Sequence, residues 1–416
     1  MNAGDNRLEA WLPRSLLNLP LGSAIPSAGF EGLSPVRLHW RNGHLLAPEP
    51  LPDHVDPPEW LVLPRLAEPH VHLDKAFTWA SNPNLAGTYE GAMSANGLEH
   101  STRTRAGVLE RGDRALHLAC SHGLRALRTH IDSVGPGATA SWDALVELRE
   151  RWSGLLDLQL VALVPVSHWS SPEGIALAQR VADVGGLLGG VIGPPYRQRP
   201  LRRDLQVLLQ LAERSGCGLD LHIDEASVEP AIGLVQLLKL LDQQQVDVPI
   251  TCSHLSSLGL VPVAEQQRLC ERMAEHRVQV VALPLTNAWL LGRRAGTTPI
   301  TRPLAPIRGL QRAGVRVAVG CDNVADPWFP AGCFDSVALM ASCLTLAQLA
   351  PWQRLGLAPF TTASAALMDL AWDGVIAEGA PADLLVLKAG SWSEALMRPS
   401  QRRILISGQW WNTQAS

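Results

Sequence analysis

Eight short apolar runs, separated by segments long enough to form helices, are the dominant pattern of the sequence. The runs are residues 61–70, 124–131, 158–166, 187–192, 218–223, 248–253, 278–283 and 315–320. Segments between them, such as 201–215 and 232–241, carry apolar residues at helical spacing. Strands that alternate with helices form parallel sheets, and eight such units are typical of a (β/α)8 TIM barrel. A doubly wound open sheet is the alternative, but no Gly-x-Gly-x-x-Gly follows an early run.

The two ends of the chain predict a smaller β domain. Residues 36–40 resemble a strand, and the Asn42-Gly43 pair that follows is typical of a tight hairpin turn. Near the other end, strands are predicted at 381–387 and 403–407. Because the termini of a domain usually lie close together, we expect both ends to build one small β-sandwich domain. The predicted limits are 1–60 and 378–416 for this domain and 61–377 for the barrel.

Composition excludes several classes of protein. A net charge of -4 over 416 residues argues against nucleic acid or an acidic membrane as the main partner. No run approaches the roughly 18 apolar residues of a membrane span, and the first residues do not resemble a signal peptide. The seven cysteines are an odd number without a Cys-x-x-Cys, which indicates free thiols in a reducing compartment. We therefore expect a cytoplasmic protein whose partner is a small molecule.

Histidine and acidic residues collect where the apolar runs end. They are His70 and His72 at the first run, His222 and Glu225 at the fifth, His254 at the sixth and Asp322 at the eighth. The C-terminal ends of barrel strands converge on one site. Imidazole and carboxylate groups are ligands of Zn²⁺ and Fe²⁺, and such a metal lowers the pKa of a bound water. Core packing would explain one such histidine but poorly explains the whole set.

Four motifs together resemble the amidohydrolase superfamily. Within it they are most similar to the cytosine deaminase branch, which also contains N-isopropylammelide amidohydrolase-like enzymes. The motifs are EPHVHLDK at 68–75, HIDE at 222–225, TCSH at 251–254 and DNVADPW at 322–328. The resemblance runs from about residue 60 to 390 and includes segments 128–132 and 378–384. It implies a hydrolase of carbon–nitrogen bonds other than peptide bonds, namely a hydrolytic deaminase of an N-heterocyclic small molecule that uses metal-activated water as the nucleophile.

The resemblance also implies a role for each motif residue. The implied metal ligands are His70, His72, His222 and Asp322. Glu225 is expected to carry a proton to the ring nitrogen of the substrate and His254 to position the attacking water. Asp322 is expected to take a proton from that water as well as to bind the metal.

The scarcity of lysine bears on the number of metal ions. Binuclear amidohydrolases typically bridge two metals with a carbamylated lysine at the end of strand four. The lysines of this chain are Lys75, Lys239 and Lys388, and none of them falls there. The prediction is one divalent metal ion, Zn²⁺ or Fe²⁺.

Other residues are candidates for contact with the substrate. Trp328 is expected to close the pocket over the substrate ring, with packing in the core as the alternative, and Lys75 lies in the first loop. Asn323 stands where cytosine deaminases have a second aspartate near the leaving group.

The segment after strand three departs from the pattern of cytosine deaminases. Their glutamine, which bonds the pyrimidine edge, is absent from 163–169, where Ser167 or His168 is the candidate substitute. A site that lacks this polar partner prefers a different ligand, so cytosine is disfavoured against another N-heterocycle.

Two other functions remain open. The same mononuclear site would suit hydrolysis of a cyclic amide or an N-substituted triazine. A non-catalytic amidohydrolase-like scaffold is the second alternative, although such proteins usually lose metal ligands and this sequence has every expected one. The resemblance also leaves a homo-oligomer open.

Overall fold

Strands and helices alternate along most of the chain in the computed structural model, which describes residues 6–19, 29, 31–52, 55–196, 200–397 and 401–411. The strands are β1 (Arg7–Pro13), β2 (Leu33–Arg41), β3 (His44–Leu45), β4 (Glu49–Pro50), β5 (Trp60–Pro64), β6 (Leu66–Val71), β7 (Leu124–Asp132), β8 (Asp157–Leu163), β9 (Leu187–Ile192), β10 (Leu219–Ile223), β11 (Ile250–His254), β12 (Gln279–Ala282), β13 (Val317–Val319), β14 (Leu384–Lys388), β15 (Arg402–Ile406) and β16 (Gln409–Trp411).

The α-helices are α1 (Tyr89–Thr102), α2 (Arg105–Ser121), α3 (Ala138–Arg151), α4 (Pro172–Asp183), α5 (Leu201–Ser215), α6 (Ile232–Leu241), α7 (Val263–Glu275), α8 (Pro284–Leu290), α9 (Ile307–Arg312), α10 (Ser336–Leu346), α11 (Arg354–Leu357), α12 (Thr362–Leu367) and α13 (Trp392–Met397). Short 3-10 helices cover Arg14–Leu16, Val166–Ser170, Ser256–Leu260 and Ala358–Phe360.

Strands β6 to β13 form a parallel sheet in which sequence neighbours are also spatial neighbours. The sheet curls until its last strand meets its first. Asp322 pairs with Val71 in an isolated parallel bridge, and its backbone N–H donates to the carbonyl of His70 at 2.9 Å. The predicted (β/α)8 barrel is therefore confirmed, and its closure lies beside the histidines of the first motif.

The first apolar run differs from the single strand that its length predicts. It divides into β5 and β6, which belong to two different sheets. Pro64 lacks the N–H needed to continue a ladder. The next two N–H groups turn to new acceptors, with Arg65 donating to Asp383 at 3.0 Å and Leu66 to Gly123 at 2.8 Å.

Helix α5 shows how the barrel helices follow from the sequence. Its buried apolar residues recur at helical spacing, which places them on one face: Leu201, Leu205, Leu208, Leu209 and Ala212. The helix ends at Gly216, whose φ of 66° is the left-handed conformation that glycine adopts without strain. The prediction of a helix at 201–215 is confirmed.

Both ends of the chain contribute to one mixed sheet with the order β16-β15-β14-β5-β1-β2-β3, in which β4 also pairs with β2. Strand β5 joins the two ends because it pairs with β1 in parallel and with β14 antiparallel. Alternate residues of β1 and β2 point into a shared core, including Leu8, Leu12, Leu38 and Trp40. The prediction of a β domain shared by both chain ends is confirmed.

The chain divides into two compact units. One comprises the described parts of 1–67, 117–125 and 334–416, and the other comprises 68–116 and 126–333. These bounds group residues by packing, whereas the predicted limits at 60/61 and 377/378 group them by order in the sequence. The predicted domain limits stay a prediction.

All seven cysteines are free thiols, and all except the partly buried Cys333 are buried. No helix in the described part of the chain is long and apolar enough to cross a membrane.

The hairpin between β2 and β3 generates a test of the β domain. Asn42 and Gly43 both have positive φ, at 51° and 78°, and Arg41 pairs with His44 across the turn. A Cβ at Gly43 would be strained and would lie 3.4 Å from the Ser407 carbonyl. We expect Gly43→Ala to lower the free energy of unfolding by about 1–2 kcal/mol in urea titrations followed by circular dichroism.

Gly97 is the matched control because it is exposed within α1 and has open space around its Cβ position. Gly97→Ala should raise the free energy of unfolding by about 0.5–1 kcal/mol. Equal stability of Gly43→Ala and the unmodified protein would contradict the turn conformation described above.

Candidate active site

The ends of four barrel strands bring the predicted site residues to one place. His70 and His72 come from the end of β6, His222 from β10, His254 from β11 and Asp322 from the residues after β13. None of these five residues is more than 7% exposed. His254 and Asp322 have positive φ of 71° and 64°. Such backbone is uncommon outside glycine and is found most often at functional sites.

Three of the predicted ligands meet at distances suited to a shared metal. The Nε2 atom of His72 lies 3.4 Å from Nε2 of His222 and 3.3 Å from Oδ1 of Asp322. The fourth, His70, has its Nε2 atom 3.7 Å from the same oxygen. Ligand atoms placed tetrahedrally about 2.0–2.1 Å from one zinc ion would be about 3.3–3.4 Å apart.

Unpaired polar atoms at the centre of the cluster also fit a cation. Nε2 of His70 and both carboxylate oxygens of Asp322 are buried and form no hydrogen bond with any described residue. Burying a charged oxygen without such a partner is costly, and a metal ion would remove that cost. The residues therefore suit a divalent metal.

Electrostatics favour the neutral form of His70 and His222, which is the form that binds metal. Burial and then neighbouring histidines lower the pKa of His70 and of His222 well below the usual range. Burial raises the pKa of Asp322, but His72 and His254 lower it more, so the carboxylate stays ionised. Neutral imidazoles and an ionised carboxylate are the ligand forms that a divalent metal requires.

Hydrogen bonds fix which nitrogen of His70 and of His72 faces the centre. Ser253 donates its hydroxyl to Asp220 at 2.7 Å, so its oxygen accepts from Nδ1 of His70 at 3.0 Å. Nδ1 of His72 lies 3.2 Å from the carbonyl of His130, which only accepts. Both histidines therefore carry their proton on Nδ1 and keep the Nε2 lone pair for a metal.

Two further groups have ligand atoms within 4.8 Å of one another. They are His70 with His222 and His254, and His70 with His130 and Asp220. Asp220 is already engaged by Ser253 and by Arg128, whose guanidinium donates to it at 2.9 Å. Asp220 is therefore better suited to orienting a ligand than to binding metal.

Glu225 lies beside His254 at the edge of the cluster. Its Oε1 atom is 3.5 Å from Nδ1 of His254 and 3.5 Å from the side-chain nitrogen of Asn287. Burial, and then the charge of Asp322, raise the pKa of Glu225 well above its usual value. A buried carboxyl group that holds its proton is suited to act as a general acid.

An aromatic wall lies next to these acids. Trp328 packs edge-on against Tyr89, with ring centroids 5.1 Å apart, and both belong to an apolar cluster around Leu290 and Leu291. Burial and then the charge of Glu225 raise the pKa of Tyr89. The predicted candidate Trp328 is thus near the cluster, and Asn323 follows Asp322 and donates to Asp326 at 2.8 Å.

The other residues predicted to contact the substrate are Lys75, Ser167 and His168. Lys75 is buried, and its Nζ atom donates to Asp132 at 2.7 Å. Ser167 is exposed and His168 half-buried on the 3-10 helix after β8. No interaction among the described residues joins Ser167 or His168 to the metal-binding cluster, and their roles stay predictions.

Several residues of the site escape inference from the sequence. His130 stacks on His70 with ring centroids 3.8 Å apart, and Asp220, Ser253 and Asn287 contact site residues. A signal existed for Asp220, which lies two residues before His222 and so faces the same side of β10. The sequence gives no signal for Asn287, because neither its spacing nor its charge distinguishes it from any other asparagine in a helix-like segment.

Several known proteins are similar to this chain in sequence. A family model described as amidohydrolase family matches residues 145–406, which include His222, Glu225, His254 and Asp322. The chain is 31% identical over 348 residues to a pterin deaminase of Rhizobium rhizogenes, covering 83% of this chain and 79% of the relative. It is 24% identical to an N-isopropylammelide isopropyl amidohydrolase of Pseudomonas sp. (strain ADP), covering 85% of this chain and 86% of the relative.

One solved structure supports the fold. A 5-methylcytosine deaminase from Klebsiella pneumoniae, liganded with 5-fluorocytosine, superposes with a TM-score of 0.81 at 23% identity. The superposition covers 99% of this chain and 98% of the other.

Because the ligand atoms converge, we predict that the protein needs His70 to retain its metal ion. We expect His70→Ala to lose most of the metal measured by elemental analysis of the purified protein, because Asp322 and two histidines would remain without a fourth ligand. His168→Ala is the matched control and should keep its metal, since His168 is outside the cluster. Unchanged metal content in His70→Ala, with an unchanged circular dichroism spectrum, would refute this ligand set.

Proposed function

The chain belongs to the amidohydrolase family, and we propose that it is a metal-dependent hydrolytic deaminase of an N-heterocyclic small molecule. Its relatives are hydrolases of carbon–nitrogen bonds other than peptide bonds, and so is this protein. The observation that carries the proposal is the buried set of converging ligand atoms with the carboxyl group of Glu225 beside it, whose pKa is raised by burial.

We propose one divalent metal ion, Zn²⁺ or Fe²⁺, held by His70, His72, His222 and Asp322. When bound, such an ion lowers the pKa of a water molecule towards neutrality and so supplies a nucleophile. The count of one is supported by the lysines, because β9, the fourth barrel strand, contains none. Lys75 is held by Asp132, Lys239 is in α6 and Lys388 is in β14.

The residues of the site provide the proton transfers that deamination needs. Asp322 accepts a proton from the attacking water, and Glu225 gives its proton to the ring nitrogen next to the attacked carbon. The exocyclic amino nitrogen then receives the proton held by Asp322, its bond to carbon breaks, and ammonia leaves. The new hydroxyl group returns its proton to Glu225 as the ring gains a carbonyl oxygen. His254 lies beside Glu225 and can donate a hydrogen bond that orients the water.

A flat heterocycle suits the wall formed by Trp328 and Tyr89. Aromatic side chains bind planar rings by stacking and by edge contacts. The relative from Rhizobium rhizogenes is a pterin deaminase, and pterin carries an amino group on a carbon between two ring nitrogens. We therefore favour a pterin or a similar amino-heterocycle over cytosine as the substrate.

A second candidate reaction is removal of a substituted amine from a triazine, or opening of a cyclic amide, at the same site. The relative that acts as an N-isopropylammelide isopropyl amidohydrolase favours it.

The seven free thiols support the reducing, cytoplasmic location expected from the sequence.

A panel of substrates tests the proposed reaction. Metal-loaded protein is incubated with pterin, other amino-heterocycles, N-alkylated triazines and cyclic amides, and released ammonia or amine is measured. We expect ammonia from pterin or another amino-heterocycle. Amine from the triazines alone would favour the second candidate, and activity on cyclic amides alone would reject deamination.

Glu225 provides the test of the proton-transfer step. We expect Glu225→Gln to lower kcat by about 10²–10⁴-fold, because an amide cannot give or take the proton. Metal content should stay unchanged, since Glu225 is not among the four ligands. An unchanged kcat would exclude Glu225 as the general acid, whereas loss of metal would assign it to the ligand set.

A further inference from the structure

The role of His254 depends on which of its two ring nitrogens carries the proton. Its ligand atoms lie within 4.8 Å of those of His70 and His222, so distance alone would allow His254 to bind the metal. A neutral imidazole has one N–H donor and one lone pair. The nitrogen that faces the cluster can therefore be a ligand or a donor, but not both.

Helix α8 provides the group that decides between these states. It begins at Pro284, directly after β12 and Leu283, and its first turn buries Asn287 completely. The side-chain nitrogen of Asn287 lies 3.0 Å from Nδ1 of His254. The same nitrogen lies 3.5 Å from Oε1 of Glu225.

The direction of these hydrogen bonds follows from chemistry. The amide NH2 of asparagine only donates, so Nδ1 of His254 must accept. An Nδ1 atom that accepts a hydrogen bond carries no proton, so the ring is neutral. The single ring proton is then on Nε2, a buried atom that bonds no described residue. A protonated Nε2 has no lone pair for a metal and can only donate.

We propose that Asn287 is a positioning residue that fixes the Nε2–H tautomer of His254. The tautomer excludes His254 from the metal ligands and makes it a hydrogen-bond donor towards the water or the substrate. The opposite arrangement is found in His70 and His72, whose Nδ1 atoms meet acceptors and whose Nε2 atoms are free to bind metal. The tautomer itself depends on the contacts of Asn287, and only its catalytic consequence rests on the proposed function.

The competing contact of Nδ1 is Glu225, whose Oε1 atom lies 3.5 Å away. An ionised Glu225 that accepted from Nδ1 would reverse the tautomer. The contact with Asn287 is shorter by half an ångström and satisfies normal hydrogen-bond geometry. Glu225 also faces the same amide nitrogen, so one donor serves both groups.

Replacement of the amide by a carboxylate tests the proposal. In Asn287→Asp the new side chain has nearly the same shape but accepts, so it should move the ring proton from Nε2 to Nδ1. The protein is labelled with ¹⁵N-histidine and loaded with zinc, and the nitrogen resonances of His254 are assigned by their loss in His254→Gln. We expect an N–H resonance at Nε2 in the unmodified protein and at Nδ1 in Asn287→Asp.

Two variants control this measurement. Asn84 is also buried, and its amide donates to the carbonyls of Thr88 and Pro327, so Asn84→Asp should leave the His254 resonances unchanged. Asn287→Ser removes the amide donor without adding a charge and should give a mixture of both tautomers. If Asn287→Asp does not fold, the His254 resonances of Asn287→Ser test the proposal instead.

Kinetics with the best substrate complete the test. We expect Asn287→Asp to lower kcat by about 10–100-fold, as is typical when an outer hydrogen-bond partner is changed. A proton at Nδ1 in the unmodified protein, a zinc-shifted Nε2 resonance, or an unmoved proton in both Asn287 variants would overturn the proposal. A correct tautomer shift in a protein inactive on every substrate would instead count against the proposed function and leave this inference standing.

Discussion

The buried carboxylate of Asp322 is the group on which both the barrel and the site depend. Its backbone N–H reaches the carbonyl of His70 and so joins the last barrel strand to the first. Its side chain lies among the histidines, and neither oxygen forms a hydrogen bond with any described residue. Glu68 reinforces the same junction, because its carboxyl group accepts from the N–H groups of His70 and Cys321 at 3.1 Å. The contacts that close the barrel therefore also position the proposed metal ligands.

A second layer of hydrogen bonds decides what each ring can do. The imidazoles of His70, His72 and His254 are chemically alike, yet they differ in the partner of Nδ1. Two meet an acceptor and one meets the donor of Asn287. Because a neutral ring has one proton, the outer partner determines the state of the inner nitrogen. The division between metal ligand and hydrogen-bond donor thus originates outside the cluster.

The first loop is held to the barrel by buried ion pairs. Arg103, at the end of α1, donates to Asp74 at 2.7 Å and to Asp132 at 3.1 Å, and it also bonds Glu99. Lys75 donates to Asp132 and Arg111 donates to Glu99, so three cations face three carboxylates. Buried pairs of this kind add specificity of position more than stability. They hold the helix whose first residue, Tyr89, contributes to the aromatic wall.

The amino-acid sequence is enough to predict the barrel, the β domain built from both chain ends and the motif residues that converge. Local spacing suffices for these, because a period of two or 3.6 fixes which side chains face the core, and strand ends of a barrel share one face. The contacts of Ser253, Asp220 and Asn287 become visible in the folded chain. Their partners are distant in the chain, as with His70 and Ser253, and no local period encodes such contacts. The tautomers follow from those contacts, so the folded chain alone distinguishes histidines that are identical in sequence.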